Sequence, residues 1–258
     1  MSVIDVAMKR IDDGITKIFT PKEYPIFLNF ASNFLNFSFK NIILIYLQNP
    51  QAQYIAGINA WKNLTGLGIK KGETPIRILY PDLVNGFTYE VQKLFDYRQI
   101  DNENINAEIV KEYIFKCDKN QLFESICYYL KEYKISVYLN PELDEKICME
   151  DNIITVNASL DNDEKFKEVL KLHIENVAKD NECEPLISGA IINTSIYLIY
   201  SYYGFIPSQI TFPYLAIPIT DDKKNFIFSQ SFSLVKKIVD NLDDFYFQKI
   251  QEKTQSGR

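Results

Sequence analysis

Hydrophobic residues recur at three- and four-residue intervals through the first fifty positions, and this spacing is typical of α-helices. From Ser2 to Phe19 it predicts an amphipathic helix with one apolar face, and from Pro21 to Phe37 it predicts a helix that is apolar around most of its circumference. Ser38, a residue type that commonly caps helices, precedes an apolar run over Phe39–Gln48 that Pro50 ends. The pattern therefore predicts three helices packed against one another.

The period of the pattern changes after Pro50. Gln53–Gly57 is typical of a short strand, and Asn59–Leu64 of a helical turn. Polar and apolar residues alternate over Thr74–Tyr80, which predicts a strand that carries Arg77 outward. Phe87–Phe95 follows after a turn, so we expect the two segments to pair as antiparallel strands.

The second half of the chain is predicted to be rich in helices. The expected helices are Glu108–Tyr113, Asn120–Lys134 with Asn120 as cap, Asp161–Lys179 with Asp161 as cap, Leu186–Tyr203 and Ser231–Ile250. Two short strands, Ile135–Leu139 and Asn152–Val156, are expected on either side of an acidic loop. The predicted fold class is α+β, with N-terminal helices on a small antiparallel sheet and a helix-rich C-terminal domain. Residues 1–100 and 109–258 are the predicted domains, and the polar residues 101–108 the linker.

Composition favours an ordered protein, because 47% of the 258 residues are hydrophobic. No apolar run approaches the roughly 18 residues of a membrane span, and the N-terminus lacks the layout of a signal peptide, so a cytoplasmic location in a bacterial host and no membrane partner are predicted. The four cysteines lack CxxC spacing and are interpreted as buried free thiols. Adjacent carboxylates such as Asp243 and Asp244 are interpreted as solvated charges.

The charge is unevenly distributed. The formal net charge is −6, but residues 1–81 hold nine Lys/Arg and five Asp/Glu, which makes this part net positive and the remainder net acidic. Such a division is what a basic binding face joined to an acidic body would produce.

A series of positions between Ser38 and Pro81 resembles the N-terminal domain of ArdC-like antirestriction proteins, which also occurs in LtrC-like proteins of conjugative elements. Lys93–Gln99 is similar to the V-F-D-x-x-Q ending of that domain. The resemblance covers about the first hundred residues. It implies a module that binds single-stranded DNA, followed by a zincin-like metallopeptidase domain. The matching positions are Asn41, Leu44, Ile45, Tyr46, Gln48, Pro50, Ala52, Tyr54, Ala56, Gly57, Ala60, Trp61, Lys70, Lys71, Gly72, Glu73, Ile76 and Ile78.

The candidate nucleic-acid-binding residues are cations, amides and an aromatic ring, which suit phosphates and unpaired bases. Trp61 is either a stacking ring or a core aromatic, and Asn41 and Gln48 either contact bases or bridge to the following strand. For the basic turn at Lys70 and Lys71, and for Arg77, the alternative is a solvated face. The full set is Lys40, Asn41, Gln48, Trp61, Lys62, Lys70, Lys71, Arg77 and Arg98.

The resemblance also implies where a zinc site would lie. In the family a helix carries H-E-x-x-H, whose two histidines bind zinc beside a general-base Glu. Alignment on Glu175 puts Ile174 and Ala178 at the histidine positions, and Asn193 falls where an acidic third ligand is expected. The single histidine, His173, lies one residue off this face and is interpreted as a partly exposed polar residue. No metal, cofactor or peptidase activity is predicted.

Three functions are open at this stage. The first is an anti-defence protein of a phage, plasmid or conjugative element, which binds single-stranded DNA non-specifically and carries a catalytically inactive metallopeptidase-like domain. The alternative is a stoichiometric inhibitor of a host nuclease or CRISPR-type defence complex, acting through the acidic C-terminal domain. The third is an active peptidase with a rearranged site that uses His173, Glu175 and Cys183.

Overall fold

The structure, a computed structural model, describes residues 3–82, 88–102, 116–179 and 183–256. The chain divides into two compact units. The first unit comprises Met1–Ile114 and Phe212–Ser229, and the second comprises Phe115–Thr211 and Gln230–Arg258. Helices accompany a small sheet in each unit, so the predicted α+β class is confirmed. The predicted domain bounds stay a prediction, and most of the predicted linker lies outside the described residues.

The first unit opens with the three predicted helices. They are α1 (Val3–Ile18), α2 (Glu23–Ala31) and α3 (Phe39–Gln48), and a short 3-10 turn, Ser32–Phe34, extends α2. The Ser38 hydroxyl accepts a hydrogen bond of 3.4 Å from the backbone N–H of Asn41, which confirms the predicted cap. The apolar faces of all three helices are buried.

A three-stranded antiparallel sheet follows. Its strands are β1 (Ile55–Ala56), β2 (Ile76–Asp82) and β3 (Thr88–Asp96), in the order β1-β3-β2, and helix α4 (Ile58–Thr65) connects β1 to the segment before β2. The pairing of β2 with β3 is the predicted one, and its register places Arg77 opposite Lys93. The turn between them falls on residues outside the described ranges.

A later segment of the chain completes the core of the first unit. The ring of Phe228 lies 5.6 Å, centroid to centroid, from each of Phe19, Tyr24 and Phe27, and Tyr214 packs against Phe19 and Tyr24. Tyr24, Phe27 and Phe228 are fully buried. Sequence patterns gave no indication that residues 212–229 would pack with the N-terminal helices.

The second unit contains a mixed sheet. Helix α5 (Leu122–Lys131) precedes the strands β4 (Ser136–Asn140), β5 (Ile147–Glu150) and β6 (Ile153–Asn157), in the order β4-β6-β5. β6 runs parallel to β4 and antiparallel to β5. The prediction missed β5, which lies within the acidic stretch interpreted as a loop.

The predicted cap of the helix before this sheet is wrong. Asp118 accepts the backbone N–H of Asn120 at 2.8 Å, and a 3-10 turn over Lys119–Gln121 leads into α5. An Asp side chain one position before the turn satisfies the exposed N–H groups, so Asn120 itself lies inside the turn.

Long helices form the rest of the second unit. They are α6 (Asn162–Lys179), α7 (Pro185–Tyr202) and α8 (Asp221–Ser256). The predicted cap at Asp161 is confirmed, since its carboxylate accepts the Glu164 N–H at 2.8 Å. Helix α8 begins well before the predicted start at Ser231, and the boundary between the two units falls within it. The predicted helix over residues 108–113 lies outside the described ranges.

All four cysteines are free thiols, as predicted, but only Cys117 is buried. Across the described ranges, no helix combines the length and the apolar character that crossing a lipid bilayer requires.

Candidate nucleic-acid interface

Two side-chain amides of α3 cover the outer edge of β2. The Asn41 amide accepts the Leu79 N–H at 2.9 Å and donates to the Leu79 carbonyl at 2.8 Å. The Gln48 amide does the same for Arg77, at 2.9 and 2.8 Å. Arg77 and Leu79 are two residues apart, so their backbone groups point to the same side of an edge strand, where a neighbouring strand would otherwise pair. The bridging interpretation of Asn41 and Gln48 is the one that agrees with the structure, because these amides are already occupied.

Trp61 is a core residue. Its side chain is only 2% exposed, and its indole N–H donates a 2.7 Å hydrogen bond to the Phe95 carbonyl. It packs with the fully buried Ile100, and partly buried apolar residues surround the pair. A ring buried in this way has no free face for a base, so the stacking interpretation of Trp61 does not fit the structure.

Arg98 belongs to a cluster of hydrogen bonds that joins the end of β3 to the turn that follows it. Asp96, which is 1% exposed, accepts hydrogen bonds from the Arg98 Nε at 2.6 Å and from the backbone N–H of Gln53 at 2.9 Å. The Arg98 Nη2 also donates to the Gln51 carbonyl at 2.7 Å. The hydrogen bond to Asp96 raises the pKa of Arg98 above its usual range. Its guanidinium is therefore hydrogen-bonded within the protein, although the side chain is 41% exposed, and its role in DNA binding stays a prediction.

Gln99 belongs to the same cluster of hydrogen bonds. Its contact with Asp96, three positions earlier, accounts for the D-x-x-Q spacing. Its side-chain carbonyl accepts the Asp96 N–H at 2.8 Å, while Asp96 caps the 3-10 turn Tyr97–Gln99, an arrangement known as a capping box. The Gln99 amide donates to the Glu73 carboxylate at 2.8 Å and to the Thr74 carbonyl at 2.9 Å. The motif thus ties the end of β3 to the segment that enters β2.

The predicted lysines lie on separate elements. Lys40 is exposed on the first turn of α3, Lys62 is exposed on α4, and Lys71 is exposed in the basic turn. Lys70 is half-buried and donates to the Arg98 carbonyl at 3.1 Å. Within the described part of the chain, Lys40, Lys62 and Lys71 form no ion pair. Their role in binding a nucleic acid stays a prediction.

A local concentration of positive charge is a cross-strand pair. Arg77 of β2 lies directly opposite Lys93 of β3, and both side chains are exposed. Like charges in this position destabilise a sheet. Among the described residues, no carboxylate forms an ion pair with either of them. An anion bound across the two strands would relieve the repulsion. Lys93 was not among the predicted site residues.

A groove extends this charge toward α1. It consists of two adjoining depressions of about 310 Å³ each, which share Arg10 and Gln48 as lining residues. One depression reaches Lys17 and Asp13 on α1, and the other reaches Arg77. Three cations and one carboxylate therefore border the groove. The prediction missed Arg10 and Lys17, because their sequence signal is only that of the polar face of an amphipathic helix.

In the second unit, the two residues predicted to align with zinc-binding histidines lie in the core. Ile174 is fully buried and Ala178 is 2% exposed. Asn193 donates to the Thr211 carbonyl at 2.9 Å, and Glu175 lies 3.9 Å from Lys171 of the same helix. Apolar side chains have no lone pair to offer a metal ion. In the described ranges, no three His, Cys, Asp or Glu side chains come together in a way that could hold one.

His173 is buried, contrary to the interpretation as a partly exposed residue. Its side chain is 2% exposed, and the rings of Tyr129 and Tyr133 lie 5.3 and 5.0 Å from it, edge to face. Its Nε2 atom has no hydrogen-bond partner among the described residues. Burial, with a smaller contribution from Lys237, lowers the pKa of His173 to about 4, so the imidazole is neutral at pH 7.

Asp243 is also more enclosed than predicted. Its carboxylate accepts the hydroxyls of Tyr202 at 2.7 Å and Tyr203 at 3.0 Å, and the backbone N–H of Cys117 at 2.7 Å. Burial raises the pKa of Asp243 above its usual range, although these hydrogen bonds act in the opposite direction. Burial also raises the pKa of the Cys117 thiol to about 11, so this cysteine is not an activated nucleophile.

A comparison with models of known protein families gives no match, and a comparison with characterised proteins gives none either. Among solved structures, the chain is similar to the crystal structure of the antirestriction ArdC protein from plasmid R388 in its Mn(II)-bound form. The identity is 12%, the TM-score is 0.42, and the match covers 81% of this chain and 89% of the other. This likeness is distant.

Proposed function

We propose that this chain is an antirestriction protein of a mobile genetic element, and that its first unit binds single-stranded DNA without sequence preference. The observation that carries the proposal is the unneutralised pair Arg77 and Lys93 at the end of a groove lined by Arg10 and Lys17. These residues lie within or beside the region whose sequence resembles the DNA-binding module of ArdC-like proteins.

The proposed binding uses the phosphates of the strand. Four cations on rigid elements offer a track for a polyanion, and phosphate contacts carry no sequence information, so binding on this surface is sequence-tolerant. Rigid strands and helices also hold the cations in place at little entropic cost. A strand that is covered in this way is protected for as long as the protein stays bound.

We further propose that the second unit is a zincin-like domain without peptidase activity. Ile174 and Ala178, where the family has its zinc-binding histidines, are core residues with no ligand atoms. Protection of an incoming strand requires occupancy and no catalytic turnover, so a domain that has lost its ligands is compatible with this role. No cofactor enters the proposal.

The test is fluorescence anisotropy with a labelled single-stranded oligonucleotide and its duplex, each at two salt concentrations. We expect preferential, salt-sensitive binding of the single strand. The double variant Arg10→Ala/Arg77→Ala is expected to weaken binding and to reduce the slope of log K against log salt by about 0.7 for each phosphate that the variant no longer neutralises.

The matched control is Lys9→Ala/Lys22→Ala. It removes the same charge from exposed positions of the first unit that do not line the groove. Equal losses of affinity in the two double variants would show that net charge, rather than the groove, attracts DNA. Failure of the wild-type protein to bind either form at low salt would refute the proposal.

A second candidate function is supported by the acidic surface of the second unit. Glu142, Asp144 and Glu145 are exposed in the segment between β4 and β5, close in sequence to the exposed Tyr138 and Leu139. Exposed apolar side chains beside a cluster of like charge are typical of a protein-binding surface. This surface suits a stoichiometric inhibitor of a nuclease or a CRISPR-type complex.

Titration of a DNA-cleavage assay separates the two functions. With DNA in large excess over the nuclease, an inhibitor that binds the enzyme acts at a concentration near that of the enzyme. A protein that covers DNA acts only near the concentration of DNA sites. The proposed function predicts the second result, and the first would favour the inhibitor.

A further inference from the structure

The ribbon of β2 and β3 has one face that joins cations to an exposed aromatic ring. Residues directly opposite in an antiparallel pair, and residues two apart along a strand, point to the same side. The register therefore places one set of six residues together, and we call it the ribbon face. Its members are Arg77, Leu79, Pro81, Tyr89, Val91 and Lys93.

The chemistry of the ribbon face changes along its length. Arg77 and Lys93 form one end and are exposed, while Leu79 is 6% exposed and Val91 half-buried in the middle. Tyr89 forms the other end with 40% of its side chain exposed. Lys93 lies four positions after Tyr89 on β3, a distance of about 13 Å at the usual rise of a strand. Cations thus lie at one end of a short apolar strip and an aromatic ring at the other.

We propose that Tyr89 is the ring on which an unpaired base stacks, while Arg77 and Lys93 hold phosphates of the same strand. The inference rests on the proposed function and names the residue that makes the site selective for single strands. A polynucleotide backbone needs cations, and an unpaired base needs an accessible aromatic face. Trp61 cannot provide that face because it is buried.

Tyr89 is available for this role. Among the described residues, no other aromatic ring packs against it and no hydrogen bond occupies its hydroxyl. A large aromatic residue at 40% exposure leaves apolar surface in water, and a stacked base would cover it. In a duplex both faces of each base are already covered, so the ring can engage only a base that is free of its partner.

The neighbouring Tyr80 provides a natural comparison. It is 57% exposed, more than Tyr89, but the register places it on the opposite face of the ribbon, directly across from Glu90. A carboxylate beside the ring repels the phosphates that flank a stacked base. Exposure alone would select Tyr80, whereas the combination of exposure and local charge selects Tyr89.

The experiment compares Tyr89→Leu, Tyr89→Phe and Tyr80→Leu in the full chain. The probes are a fluorescent oligothymidylate and a matched oligonucleotide of abasic sites, measured by anisotropy. Tyr89→Leu is expected to weaken binding of the oligothymidylate about tenfold or more, the usual cost of losing one stacked base. Tyr89→Phe, which keeps the ring, and Tyr80→Leu are expected to bind as the wild type does.

Two further readouts identify stacking. The salt dependence of Tyr89→Leu should equal that of the wild type, because the cations that hold the phosphates are intact. The preference of the wild-type protein for the oligothymidylate over the abasic strand should shrink in Tyr89→Leu, since the base contributes binding energy only where it has a ring to stack on.

Each alternative outcome has a definite meaning. Wild-type affinity in Tyr89→Leu, together with tight binding by the wild-type protein, would overturn the role of Tyr89 and leave the proposed function intact. Equal losses of affinity in Tyr89→Leu and Tyr80→Leu would also overturn it. Absence of binding by the wild-type protein at low salt would refute the proposed function and this inference with it.

Discussion

The two units differ in the residues that occupy their predicted functional positions. In the first unit the polar residues Asn41, Gln48 and Asp96 are present, and each is hydrogen-bonded to backbone groups of its own unit. In the second unit, Ile174 and Ala178, which the predicted alignment places at zinc-binding histidines, are core residues. The matching polar residues of the first unit thus stabilise its fold, whereas Ile174 and Ala178 contribute apolar packing to the second unit. The cations of the proposed DNA-binding surface include Arg10 and Lys17, which lie outside the matching positions.

The largest effect is expected where an H-E-x-x-H motif is introduced. The double variant Ile174→His/Ala178→His spells H-E-x-x-H but places two imidazoles in the core of the second unit. We expect the free energy of unfolding to fall by about 4 kcal/mol, since buried polar groups without partners are costly. Chemical denaturation measures this loss, and metal analysis is expected to find no stoichiometric zinc, because Asn193 offers no carboxylate. Ile174→Leu is the control, and tight zinc binding by the double variant would contradict the interpretation of the second unit.

The next effect concerns the covered edge of β2. Asn41→Leu removes both partners of the buried Leu79 backbone groups, and we expect a loss of about 3 kcal/mol in the free energy of unfolding. Gln48→Leu removes the partners of the Arg77 backbone groups at a site that water can reach. We therefore expect the free energy of unfolding to fall by only about 1 kcal/mol. Urea denaturation measures both. Equal losses of unfolding free energy in the two variants would contradict the expectation that the more deeply buried Asn41 amide contributes more.

A third effect on stability, reached only at acidic pH, depends on His173. The pKa of His173 is lowered to about 4 in the folded state, whereas the usual value is about 6.5. The unfolded chain therefore binds the proton first as pH falls. The stability is fully present above pH 6.5 and is lost progressively between about pH 6.5 and 4, by up to about 3 kcal/mol.

His173→Phe tests this dependence. The variant keeps an aromatic ring between Tyr129 and Tyr133 and removes the Nε2 atom that has no partner among the described residues. We expect unchanged or higher stability at pH 7 and a weaker decline of the unfolding free energy toward pH 4. An identical pH profile in the two proteins would assign the decline to other groups.

The smallest effect links stability to binding. Lys93→Gln removes one of two like charges that face each other across the strands. We therefore expect the free energy of unfolding to rise by about 0.3 kcal/mol at low salt. The same variant should bind single-stranded DNA more weakly. Thermal melting and anisotropy measure the two changes, and Lys9→Gln on α1, an exposed residue that does not line the groove, is the control. A variant that loses stability would show that Lys93 and Arg77 do not repel each other.

Local rules predicted much of the secondary structure. Ser38 and Pro50 bound α3 because a hydroxyl cap and a ring without an N–H act within one turn of the helix. The alternation over Thr74–Tyr80 predicted β2 and the outward position of Arg77. Asp161 likewise marked the start of α6. β5 was missed because its four residues are too few for a clear alternation.

The sequence by itself determined the helix caps at Ser38 and Asp161, the strand alternation over Thr74–Tyr80, the excess of positive charge before Pro81 and the absence of ligand atoms at Ile174 and Ala178. These features depend on residue type and short-range spacing. Only the tertiary structure decided which polar residues remain free. It buried Trp61, occupied Asn41, Gln48 and Arg98, placed Arg77 opposite Lys93 and brought Arg10 beside Gln48. Burial and hydrogen bonding depend on which distant segments meet, and a linear pattern of polar and apolar residues does not contain that information.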